Sequence, residues 1–102
     1  MIHIKTGVKF SHRMFVYPQM MRVPWYAQLL APDGYEVTIT SGCDGEHAEN
    51  SKHWLGLALD FRIRDFPAGC SVEVWARRIQ NRLGDGYFVL VEEKHLHVQY
   101  NG

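Results

Sequence analysis

Cysteine is scarce in this chain of 102 residues. Cys43 and Cys70 are the whole supply, with no CxxC spacing, which excludes a disulfide framework. Both are expected to remain thiols, and a single bridge between them stays open. An excess of charge of one sign is also missing. Eleven Lys and Arg balance eleven Asp and Glu, so composition offers no electrostatic argument for nucleic acid or an acidic membrane as partner. No apolar run approaches the roughly 20 residues of a membrane span, so membrane insertion is not expected. The start, Met1-Ile2-His3-Ile4-Lys5, lacks the apolar core of a secretory signal, and synthesis in a cytoplasm without a signal peptide is the expectation. No repeat, linker or low-complexity stretch is apparent. What remains, 46% hydrophobic and 22% charged residues, is ordinary for one folded domain over residues 1–102.

The patterning predicts an α+β fold with a mainly antiparallel sheet, helices on one face and a site on the other. Ile2 and Ile4 predict a weak edge strand before Gly7. Pro18 suits a first helical position, and Met20, Met21, Val23, Tyr26, Leu29 and Leu30 form a helical stripe behind it. Pro24 interrupts that stripe, which predicts a kink or two short pieces. Pro32-Asp33-Gly34 then turns the chain. Tyr35, Val37 and Ile39 alternate as a strand with one buried face. Residues 41–50 are polar and read as a loop of functional length. Leu57, Leu59, Phe61 and Ile63 alternate with Ala58, Asp60 and Arg62 in a second strand. Ser71 caps, and Gly84 ends, a helix whose stripe is Val72, Trp75, Ala76, Ile79 and Leu83. Residues 87–92 and 95–100 are two further strands separated by little more than Glu93-Lys94, as in an antiparallel hairpin.

Histidine and carboxylate are concentrated in two stretches, Ser51-Lys52-His53-Trp54-Leu55-Gly56-Leu57-Ala58-Leu59-Asp60 and Glu92-Glu93-Lys94-His95-Leu96-His97. His95 and His97 are two apart on a strand, so both leave the same face, roughly 7 Å apart along it. Asp60 points away from the apolar side of its own strand, and His53 sits just ahead of that strand with Gly56 allowing a bend. His53, Asp60 and the His-x-His strand can therefore meet over the uncovered face. Imidazole and carboxylate suit zinc, and three ligands with one open position describe a catalytic site. Simpler readings compete. A single strand histidine is usually structural, Asp60 could pair with Arg62 or Arg64, and Glu93-Lys94 reads as a solvated turn. Cys43 with His47 makes a metal pair on residue type alone.

The pattern Ser-x-His-x-x-Gly-x-Ala-x-Asp followed by His-x-His, here Ser51, His53, Gly56, Ala58, Asp60, His95 and His97, resembles the zinc D-alanyl-D-alanine carboxypeptidase-like peptidases and the hedgehog signalling domain, which share a fold. Asp44-Gly45-Glu46-His47 is similar to the hedgehog approach to the motif. Thr40-Ser41-Gly42 and the Val98-Gln99-Tyr100 ending are similar to small phage-encoded members. The resemblance implies one zinc ion held by His53, Asp60 and His97. His95 and Glu92 would be acid/base groups, with His47 beside the metal or facing substrate. Ser51 would be a support or substrate contact, and Trp54 is carried as a pocket residue. Carboxypeptidase members place an Arg shortly after the Ser-Gly entry, whereas Cys43-Asp44-Gly45 stands here. Arg62, on the face of Asp60, is the candidate replacement for that cation.

The activity implied is zinc-dependent hydrolysis of a peptide bond in peptidoglycan stem peptides, at a D-Ala–D-Ala end or an L-Ala–D-Glu link. The competing class is a non-catalytic zinc module, or a phage structural protein keeping a peptidase-like site. Without a signal sequence, access to the cell wall is expected through release at phage lysis or as part of a virion.

Overall fold

In the computed structural model, the described residues are 1–10, 18–42 and 56–101. They form strands β1 (His3–Ile4), β2 (Thr38–Ser41), β3 (Ala58–Arg62), β4 (Tyr87–Val91) and β5 (His95–Tyr100), with helices α1 (Pro18–Leu29) and α2 (Val72–Leu83). The five strands make one sheet in the order β1-β2-β3-β5-β4. The sheet is mixed, which corrects the expectation of a mainly antiparallel one. β1 runs parallel to β2, while β2–β3, β3–β5 and β4–β5 are antiparallel. A parallel neighbour requires a long crossover, and the stretch containing α1 provides it.

Helix α2 forms as its sequence predicts. The Ser71 side chain accepts from Val74 N–H at 3.2 Å, and Gly84, at φ 95°, donates its N–H to the Gln80 carbonyl. A φ in that range suits glycine. Helix α1 starts at Pro18 and runs as one span through Pro24, so the expected alternative of two short pieces does not occur. The proline removes one backbone bond. Met20, Val23 and Ala27, all fully buried, pack the helix on both sides of it, and tertiary packing of that kind outweighs local propensity. Met21 and Leu29, expected on the buried stripe, are exposed.

The core joins these helical residues and Trp75, Ile79 and Leu83 to Ile39, Leu59, Phe61, Leu96 and Val98 of the sheet. The Trp75 indole N–H donates to the Ala27 carbonyl at 3.0 Å, tying the helices together. Because strand side chains alternate, burying Leu59, Phe61, Leu96 and Val98 sends Asp60, Arg62, His95, His97 and Gln99 to the opposite face. Gly42 is also constrained, since a Cβ there would collide with the Lys9 carbonyl oxygen.

The structure contains a repetition that the sequence reading missed. Gln28 Nε2 donates to the Tyr35 carbonyl at 2.7 Å, and its Oε1 accepts from Val37 N–H at 3.0 Å. Gln80 does the same to Tyr87 at 2.8 Å and Val89 at 3.0 Å. The turns between match as well: Tyr35 N–H donates to Pro32 O, and Tyr87 N–H to Gly84 O. Each unit is a helix, an Asp-Gly-Tyr turn and an antiparallel strand pair, with Ile39↔Phe61 in the first corresponding to Val91↔Leu96 in the second. Where the units join, β3 and β5 pair Asp60↔His97, Phe61↔Leu96 and Arg62↔His95. That register is what an approximate two-fold axis between Phe61 and Leu96 requires. It makes Asp60 the counterpart of His95, and Arg62 the counterpart of His97. Few side chains are shared between the units beyond Gln, Asp-Gly-Tyr and Val, and many more residues separate β2 from β3 than β4 from β5, so no sequence period appears.

Candidate metal centre

The centre of the uncovered face is Asp60, whose side chain is only 6% exposed. A buried carboxylate needs partners to offset lost hydration, and the β3–β5 register supplies two. Its Oδ1 lies 2.9 Å from His97 Nδ1, and its Oδ2 lies 3.4 Å from His95 Nε2. One carboxylate thus spans both imidazoles of the His-x-His strand.

Glu92 completes the group from the end of β4. Its backbone N–H donates to the His95 carbonyl at 2.9 Å, closing the hairpin through Glu93-Lys94. That closure brings Glu92 Oε1 to 3.3 Å from His95 Nε2 and 3.9 Å from His97 Nδ1. Ligand atoms of Asp60, Glu92 and His95 all lie within 4.8 Å of one another, close enough to hold a metal ion. Two carboxylates and an imidazole are a donor set that divalent cations accept, zinc among them, so the residues present fit a metal.

His97 is the more buried of the two histidines, its side chain 13% exposed against 33% for His95. Its Nε2 lies 2.6 Å from Gln99 Oε1, which makes Nε2–H the donor there and turns Nδ1 toward the carboxylates. Burial opposes protonation of this ring. The hydrogen bonds to Asp60 and Gln99, with the charges of Asp60 and Glu92, outweigh that cost and raise its pKa above the ordinary imidazole value.

Beside the cluster lies an open cleft of about 700 Å³, shared by Asp60 and His95 with Lys5, Arg62, Arg64 and Lys94. On the other side, Leu90 is the cross-strand neighbour of His97 and Phe88 that of Gln99, and both are exposed.

Of the residues singled out from sequence, Asp60, Glu92, His95 and His97 come together, and Arg62 lines the adjoining cleft. His53, His47, Ser51 and Trp54 lie outside the described residues, as does Cys43. Cys70 is a free, exposed thiol away from the cluster. Sequence reasoning missed Gln99, although its place two residues after His97 on one strand puts it on the site face, and it missed the cations other than Arg62. Among the described residues no helix is long and apolar enough to cross a membrane. Compared with known proteins, the chain matches no family model, no curated protein and no solved structure.

Proposed function

We propose that this chain is a zinc-dependent peptidase acting on peptidoglycan stem peptides. The observation that carries this reading is the buried Asp60 carboxylate spanning His95 and His97, with Glu92 against both imidazoles, on the open face of the sheet beside a cleft. The substrate class comes from the resemblance of the Ser51–Asp60 and His95–His97 motifs to zinc carboxypeptidase-like enzymes.

Asp60 and His97, the more buried members of the cluster, are metal ligands in this proposal as the resemblance implies, although the three groups whose ligand atoms already lie within 4.8 Å of one another are Asp60, Glu92 and His95. His97 offers Nδ1, its tautomer held by Gln99. His53 is the third ligand that the resemblance implies. Bound zinc would supply Lewis-acid chemistry, acidifying water and polarising the scissile carbonyl.

The more exposed members handle protons. Glu92, 42% exposed at its side chain, is open to substrate and accepts a proton from the attacking water. The same carboxylate returns it to the leaving amine, as a general base and then a general acid. His95, in contact with both Glu92 and Asp60, orients the Glu92 carboxylate and stabilises the charge developing beside it.

The test is mass analysis of muropeptides after incubation with zinc-loaded and chelator-treated protein. Loss of a terminal D-Ala, or scission between L-Ala and D-Glu, by the loaded protein alone is the expected result. If the protein holds zinc and leaves every muropeptide intact, the non-catalytic zinc module takes its place.

A further inference from the structure

We infer that the cleft beside the cluster is a carboxylate-binding subsite, built by Lys5, Arg62, Arg64 and Lys94. These side chains come from separate parts of the chain: the residue after β1, the last residue of β3 and a position two residues beyond it, and the β4–β5 turn. The sheet brings them to one cleft with Asp60 and His95. The chain as a whole has no excess of positive charge, so their convergence is a property of the fold.

None of the four makes an ion pair among the described residues. Among the described residues the cleft lining sets two carboxylates, Asp60 and Glu93, against these four cations. Asp60 is turned to the two imidazoles, which leaves Glu93 as the other carboxylate on the lining. Like charges gathered around one concavity repel, and an anion entering it relieves that repulsion while gaining charge-assisted hydrogen bonds. Arg62 is the innermost of the four, half-buried and directly across from His95 in the β3–β5 register. An anionic group held there lies next to the proposed reacting centre.

The ligand chemistry is a carboxylate on a peptide, from a free C-terminus or from an acidic side chain. Which of the two decides the bond cut, and that part rests on the peptidase reading; anion binding itself does not.

The experiment is calorimetric titration of the zinc-loaded full chain with acetylated D-Ala–D-Ala as free acid and as C-terminal amide. Acetylated L-Ala–D-Glu and L-Ala–D-Gln, both as C-terminal amides, form the second pair. The free acid of the first pair, or the Glu member of the second, should bind about tenfold more tightly than its neutral partner, and the advantage should shrink as salt rises. A preference in the first pair identifies a C-terminal carboxylate, and in the second a side-chain carboxylate. The double variant Arg64→Ser/Lys94→Ser, at two exposed positions, should lose most of that preference while the neutral peptides bind as before. Equal binding within both pairs, or a preference untouched by the double variant, overturns the subsite. Product analysis of the same mixtures separates the two ideas: selective binding without hydrolysis keeps the subsite and removes the peptidase, whereas hydrolysis without charge preference does the reverse.

Discussion

Asp60 and His97 face each other across β3 and β5, and their side chains meet at 2.9 Å. His95, two residues earlier on β5, reaches the other oxygen of the same carboxylate. The two histidines are therefore unequal: His97 is the buried partner, braced from behind by Gln99, and His95 the more open one, shared with Glu92.

That inequality predicts different losses. Asp60→Ala and His97→Ala should each abolish the binding of about one zinc per chain, measured by elemental analysis after dialysis, while His95→Ala keeps most of it. Loss of zinc from His95→Ala as complete as from His97→Ala would move His95 into the ligand set.

Glu92→Gln preserves shape while removing the ability to take up a proton. Zinc content and melting temperature should stay near those of the parent. Turnover should fall by roughly 10²–10⁴-fold, the range for losing a general acid/base group. Unchanged turnover in this variant, measured on the same muropeptides, would pass the proton-handling role to His95.

Metal binding to a cluster assembled only by the β3–β5 pairing adds to folding stability, because the unfolded chain has no such site. The melting temperature should fall when a chelator is added and recover with excess zinc. A melting curve indifferent to both would count against a metal held by Asp60.

The paired glutamines make a stability prediction independent of any metal. Gln80→Ala frees the Tyr87 carbonyl and the Val89 N–H, and Gln28→Ala the Tyr35 carbonyl and Val37 N–H. Each variant should lose about 1–3 kcal/mol in denaturant unfolding, the cost of stranding partly buried backbone groups. Gln80 also occupies outer-edge groups of the end strand β4, so its loss should increase aggregation. Less than half a kilocalorie per mole in both would mean that water replaces the amide at no cost.

Tyr35 sets the behaviour in alkali. Burial, reinforced by its hydrogen bond to Asp65 at 2.8 Å, raises its pKa well above the ordinary phenol value of 10.0. With the folded value raised, its contribution to stability is fully present below about pH 10 and is lost as pH rises through the folded value. Thermal melts between pH 9 and 11 should decline at the upper end, and less steeply in Tyr35→Phe. Parallel declines in both proteins would assign the loss to other groups.

Much of this architecture is written in near-neighbour chemistry. Ser71 and Gly84 bound α2 because a cap and a glycine of positive φ act within one turn. The alternation of Leu59 and Phe61 with Asp60 and Arg62, and of Leu96 and Val98 with His95 and His97, decides which side chains leave the core, since a slip of one residue would exchange the faces. The His-x-His spacing likewise puts both imidazoles on one side. The partner of each was not legible. That Asp60 lies opposite His97, that β1 runs parallel to β2, and that α1 stays whole through Pro24 depend on packing between residues far apart in the chain. Gln28 and Gln80 declare their shared role only once each is seen bridging its own turn and strand. Arg62 and Arg64 follow Asp60 closely in the chain, but only the order of the strands brings Lys5 and Lys94 to the same cleft. Local periodicity determines which face a residue occupies; non-local pairing, held by the common core, decides what it meets there.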